Sequence, residues 1–241
     1  MEYWLSRHPF KVRTEVPMPA NRLVTAFLGA SCLLAAALGA HSAEPGNDQA
    51  LLDRIVAVQA KAVSMKAVFA QRTTNTTAPD DPPRVMRGHF ELVPPDRYNL
   101  VLTSPGDADW RQRFVCDGRL SAEIEQVVPD LEPTLVVRPA AEGDAGIRRI
   151  ISCARGDLTE LGKDFSIRAT AREQGGALVV LSPATADVAK EVDRVRIELG
   201  KDLRVTALTL DQPGGARIAV TIESAEYDAA IAPETFAIPA K

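Results

Sequence analysis

Apolar residues near the front of the chain recur at helical spacing, and further on they switch to alternation. Across 48–71, Leu51, Leu52, Ile55, Val58, Ala62, Met65 and Phe69 fall three and four apart, with Asn47 or Asp48 placed to cap an amphipathic helix. Past Met65 the spacing loosens, and 68–74 reads equally as a first strand. TNTTAPDDPP, at 74–83, has the composition of a loop or hairpin tip. Period two then takes over, with Phe90 and Leu92 on one side of 88–92 and Tyr98, Leu100 and Leu102 on one side of 97–102. It continues with Phe114 and Cys116 in 111–117 and with Leu120, Ala122, Ile124 and Val128 in 119–128. Asp117-Gly118 between the last two runs is a two-residue hairpin signal.

The rhythm breaks at 129–163, where Pro129, Pro133 and Pro139 precede a short helical pattern through Ile147, Ile150, Ile151 and Ala154. This segment is expected as an insertion of turns and short helices. Strands return at 165–170, 177–181, 193–199, 203–210 and 216–222, separated by turns rich in glycine. In the third and fifth of these runs Val195, Ile197 and Val220 fall on the apolar side. The tail from Glu226 can close the sheet or cover its end. The sum is a mainly β (α+β) chain: a large antiparallel meander, greasy on one face, with a leading helix and a helical insert.

The N-terminal end of the sequence is of another kind. LVTAFLGASCLLAAALGA (23–40) is uncharged and apolar, follows Arg7, Lys11, Arg13 and Arg22, and ends in a small-x-small site at Ala40-His41-Ser42. That is the pattern of a cleaved secretory signal, giving 1–43 as signal peptide and 44–241 as the exported domain. MPANR from Met18 is a compact basic start, so 1–17 reads as an upstream extension. The whole chain has 28 Lys/Arg and 32 Asp/Glu; residues 1–43 hold four and two of these, leaving 24 against 30 and a net charge of −6. Without a basic stripe or interleaved aromatics, nucleic acid is a poor partner.

Candidate chemistry is sparse. His89 is the one histidine beyond residue 43, and it falls on the polar side of its strand with no G-x-S-x-G anywhere in the chain. Asp80-Asp81 and Asp107 with Asp109 sit in turn-like segments, and no cluster suits a metal. No phosphate-cradling loop is present, so neither an enzyme nor a cofactor is expected. Cys116 and Cys153 remain after export, either as a disulfide in an oxidising compartment or as two buried thiols. What is left is the apolar face itself, which is either ordinary core or a ligand surface.

Several pieces in order resemble one family. They are the leading helix running into Phe69-x-Gln71, Gly88-x-Phe90-x-Leu92 leading to Pro95 and Tyr98-Asn99, Cys116-Asp117-Gly118, Leu181-Ser182-Pro183, and Phe236-Ala237-Ile238-Pro239. Over 48–241 the chain resembles the periplasmic outer-membrane lipoprotein carrier (LolA-like) family. The resemblance implies an unclosed antiparallel half-barrel with a short-helix lid over a concave apolar face that holds lipoprotein acyl chains or another lipid. The face would be lined by Phe90, Leu92, Tyr98, Leu100, Phe114, Ile124, Val195, Ile197 and Val220. Residues 131–162 suit the lid, through Leu135, Val136, Val137, Ile147, Ile150 and Ile151. It further implies a periplasmic monomer that takes cargo from an inner-membrane ABC lipoprotein-releasing transporter and passes it to an outer-membrane acceptor. The family places an arginine just before the proline of the turn at 93–96 to hold the lid; Pro94 stands there, and Arg97 is the nearest substitute. A sensor or regulatory module of the same fold, binding lipid or an envelope protein, is the alternative.

Overall fold

The alternation read from Gly88 onward is realised as strands of a single sheet. A computed structural model describes residues 49–128, 130–143 and 145–239. The segment read as signal peptide and upstream extension lies outside the described residues. The described chain opens with α1 (Gln49–Gln59), followed by β1 (Met65–Asn75), β2 (Arg84–Val93), β3 (Arg97–Ser104), β4 (Asp107–Asp117), β5 (Leu120–Gln126) and β6 (Thr134–Pro139). A 3-10 turn, α2 (Ala145–Arg155) and α3 (Leu158–Leu161) come next. The chain then runs through β7 (Phe165–Ala171), β8 (Ala177–Pro183), α4 (Ala186–Ala189), β9 (Arg194–Leu199), β10 (Val205–Asp211) and β11 (Ala216–Tyr227).

All eleven strands form one antiparallel sheet in the order β6-β5-β4-β3-β2-β1-β11-β10-β9-β8-β7. Neighbouring strands are consecutive in sequence everywhere except at one seam, where β1 pairs with β11 from Met65↔Tyr227 to Asn75↔Ala216. A register shift at Val68/Phe69 sets Phe69 opposite Ile222 and leaves Glu223 out of the ladder. The sheet is not closed: β6 and β7 are its two edges, and the segment carrying α2 and α3 joins them. Between β2 and β3 the Pro94-Pro95 bond is cis.

Two expectations are corrected here. The leading helix ends at Gln59, not near residue 71, because Met65, Ala67 and Phe69 also satisfy period two and pair with both β2 and β11. Gln59 is itself buried and donates through Nε2 to the Leu203 carbonyl at 2.6 Å, tying the helix end to the β9–β10 turn. The second correction is β6. Leu135, Val136 and Val137 are not lid but edge strand, paired with Ile124, Glu123 and Ala122.

Glycine is required at one strand position. A Cβ on Gly88 would lie 2.5 Å from Phe69 Cζ and 2.5 Å from the Val101 carbonyl oxygen, so the Phe69 ring crosses the bare backbone of the neighbouring strand. At the β4–β5 hairpin, Gly118 has φ +94 and the Asp117 carboxylate accepts from the Arg119 and Leu120 amides, both at 2.7 Å. The hydrogen bond from Leu120 is the main reason its carboxyl is held below the usual range.

Candidate functional site

Cross-strand pairs share a face, so the register alone sorts side chains into two sides. Phe90↔Leu100↔Phe114 and Leu92↔Tyr98↔Cys116 define what we call the inner face. It continues across β1 through Met65, Ala67 and Phe69, and through Val220↔Leu208↔Ile197↔Val179 into the second half of the sheet. Eight of the nine expected cavity residues fall on it, from Phe90 to Val220. All eight are buried. Leu181 and Val179, not anticipated as lining, stand between Val195, Ile197 and the β7 edge.

The ninth, Ile124, is on the other side. It pairs with Arg113, which pairs with Val101, whereas Phe114 pairs with Glu123. The inner face of β5 is therefore Ser121, Glu123 and Glu125, a polar border to the apolar surface. Gln112 Nε2 donates to Glu123 at 2.9 Å, and the Trp110 indole N–H donates to Glu125 at 3.4 Å. Of the three β6 residues expected as lid only Val136 shares the inner face, between Thr134 and Arg138; Leu135 and Val137 pair with outward residues.

The helix α2 lies against β10 and over the inner face. Ile147 is 1% exposed and meets Tyr98, Phe114 and Val136 around a cavity of about 20 Å³, large enough for about one water. Ile151, Cys153 and Ala154 are buried, and Ile150 is half-buried at the margin. Cys116 and Cys153 are both buried and stand as free thiols in this structure. Burial pushes the Cys153 thiol up to about 12, opposed only by Arg149, and also raises Cys116.

What anchors this helix is Arg149, a residue that no sequence pattern singles out. Its Nε donates to Asp164 at 2.8 Å, just ahead of β7, and its Nη1 to Glu191 at 2.5 Å, in the connection between α4 and β9. Burial works against the Arg149 charge, but the two carboxylates outweigh it and hold its pKa above the ordinary value. Arg148 adds hydrogen bonds to the Ala140 and Ala141 carbonyls at 3.1 Å, and Arg155 pairs with Asp157, the cap of α3.

Arg97 does not hold α2. It belongs to the outer face, where its guanidinium lies 5.5 Å from the centroid of the buried Phe236 ring. There the tail crosses β3 and β4, and Arg113 donates to the carbonyls of Thr235 at 2.9 Å and Ala237 at 3.4 Å. Asn99 completes the clamp, accepting from Arg113 Nε at 2.6 Å and donating to Glu91 at 2.8 Å. The tail thus covers the outer side of β3 and β4 instead of extending the sheet. Arg97→Ala should cost under about 1 kcal/mol. It should speed amide exchange in Glu234–Ala237 without changing exchange in α2; faster exchange in α2 would restore Arg97 as a lid contact. His89 also faces outward, opposite Val68 and Val101.

No family model matches the chain, and no curated protein matches it. Solved structures similar to it include a LolA superfamily protein from Nitrosomonas europaea, 12% identical, covering 80% of this chain and 98% of that one with a TM-score of 0.43. LprF from Mycobacterium bovis is 13% identical over 80% of this chain and 97% of its own, with a TM-score of 0.42. A putative outer membrane lipoprotein-sorting protein domain from Vibrio parahaemolyticus is 9% identical, covering 77% and 95%, with a TM-score of 0.40. Solved structures this chain is similar to thus include a LolA superfamily protein and a lipoprotein-sorting domain, at low identity.

Proposed function

We propose that the protein binds acyl chains on the inner face of its sheet beneath α2 and carries them, as lipoprotein or as another lipid, across the periplasm. The observation that carries this reading is the cover. One face of the sheet presents aliphatic and aromatic side chains from β2 through β9, and α2, held from one flank by ion pairs, lies over part of it, while α1 contacts β7. A second apolar sheet would be a permanent core, whereas a helix tied through Arg149 is a part that can lift. Binding by apolar area, at roughly 25 cal/mol per Å², needs no group that makes or breaks a bond. A donor transporter in the inner membrane and an acceptor at the outer membrane are the partners the family resemblance implies.

The test is direct. A fluorescent fatty acid should bind the chain from Glu44 and be displaced by palmitate, and Leu100→Asp, at a buried inner-face position, should abolish binding. A native preparation that neither carries nor binds acyl chains removes the proposal.

A further inference from the structure

The outer face carries a charge the rest of the molecule does not. Beyond residue 43 the chain has 24 Lys/Arg against 30 Asp/Glu. Three adjoining rows on the outer side of the sheet, however, hold seven arginines with two carboxylates, Glu198 and Asp211, and Glu223 at their border; the outer rows beyond them are mixed, with Glu91, Asp117 and Glu226 beside Lys66, Arg97 and Arg113. The register places the arginines in the three rows. Arg168, Arg196 and Arg72 share one row through Val180, Thr209 and Ala219, while Arg87 and Arg111 share the next through Thr103. Arg194 and Arg217 flank Asp211 in a third. All but the half-buried Arg196 are exposed.

The carboxylates neutralise only part of this. Asp211 accepts from Arg196 at 2.9 Å and Arg217 at 2.6 Å, Glu198 is taken by Arg172 at 2.9 Å, and Glu223 stands 3.6 Å from Arg87. Arg72, Arg111 and Arg194 stand outside these ion pairs.

Two properties of the surface select its partner. From β4 to β7 it spans nine strands, roughly 40 Å. Successive arginines within a row are two or three strands apart, about 10 to 14 Å. They do not converge on one point, as they would for a single bound phosphate or carboxylate. The side chains between them are short or aliphatic, such as Thr103, Ala219, Thr209 and Val180, and among the described residues of these rows none is aromatic. Nucleic-acid grooves stack bases on aromatics, and protein interfaces build their centres on them. A wide array of separated cations without an anchor fits a wide array of separated anions.

We propose that the outer face of the sheet is a docking surface for an anionic lipid bilayer, with Arg72, Arg87, Arg111, Arg168, Arg194 and Arg217 set against its headgroups. Attraction of this kind is worth roughly a fivefold gain in affinity per cation near the surface and fades within about 10 Å at ~0.1 M salt. It brings the protein to a membrane and lets it leave, while the opposite face stays directed away from the bilayer. The inference does not rest on acyl binding, since it uses none of the inner-face residues.

The chain from Glu44 holds every described element, and its sedimentation with vesicles decides the matter. Vesicles mixing phosphatidylglycerol with phosphatidylcholine should retain it at low ionic strength and release it as salt rises, while phosphatidylcholine alone should not retain it. Joint Arg72→Glu, Arg111→Glu and Arg194→Glu substitution should weaken retention at least roughly a hundredfold. The same three changed to Lys should bind as the parent does, and both variants should bind the fluorescent fatty acid as the parent does if that separate proposal holds. Equal retention on the two vesicle types, insensitivity to salt, or parental binding by the glutamate variant would overturn the proposal. So would binding to polyglutamate without binding to vesicles, which would assign the face to an acidic protein. If the glutamate variant does not fold, vesicle composition and salt dependence still decide it.

Discussion

Arg149→Met should make α2 open more readily: a fluorescent acyl probe should associate roughly tenfold faster, and the thermal transition should fall at the same time. The guanidinium is 21% exposed and its two carboxylate partners 39% each, so the ties lie between a surface pair, worth under about 1 kcal/mol, and a buried one, whose loss costs about 3–5 kcal/mol. Two charge-assisted hydrogen bonds in that setting stabilise the docked helix by about 2 kcal/mol, and each ~1.4 kcal/mol released multiplies the open population tenfold. Methionine keeps the aliphatic stem, so the loss reports the charge and not the packing. Stopped-flow association and calorimetry on the same protein separate the possibilities. Lowered stability with unchanged association would make Arg149 a brace for the fold and leave α2 without a gating role.

The second large effect lies under Phe69. Gly88→Ala should destabilise the protein by about 3 kcal/mol or more, lowering the melting temperature by roughly 10 °C. The added methyl meets a ring carbon and a backbone oxygen, both at 2.5 Å, and only the ring can swing aside. Phe69→Leu in the same chain should therefore recover only part of the loss. Full recovery would show that the Val101 carbonyl yields, and an unchanged melting temperature for Gly88→Ala alone would show that no close approach exists. Chemical denaturation of the four variants completes the cycle.

Strand periods were legible in the sequence, but the face each strand presents was not always so. Phe90, Val195 and Ile197 alternate with polar neighbours because their other side meets water, and for them alternation names the core directly. At β5 the same rule points the wrong way. Ala122 and Val115 are apolar because this part of the outer face is also buried, on the side where the tail brings Phe236, so Ile124 belongs to a second, smaller apolar layer. Ser121, Glu123 and Glu125 mark the true inner row of that strand. Prolines at 129, 133 and 139 made β6 read as insertion; an edge strand tolerates Pro139 at its end because one side of its backbone has no ladder to serve. Arg149 was beyond reach for another reason. Its partners are 15 and 42 positions away, and nothing in the local pattern links them.

The seam between β1 and β11 has a consequence for how the chain is made. Every other pair of neighbouring strands is consecutive in sequence, but Met65 waits for Tyr227, 162 positions later. Hairpins β1–β6 and β7–β11 can each form as their residues arrive, whereas closing the seam must bring distant segments together, which is the slow kind of contact. Until residue 216 and beyond have emerged, β1 presents an unpaired ladder to any neighbouring chain. Its outward Lys66 and Arg72 are the sort of charges that discourage such pairing. A chain truncated before Ala216 would therefore keep β1 and β10 as extra open edges, so the aggregation hazard of this fold persists until β11, near the end of synthesis, has been made.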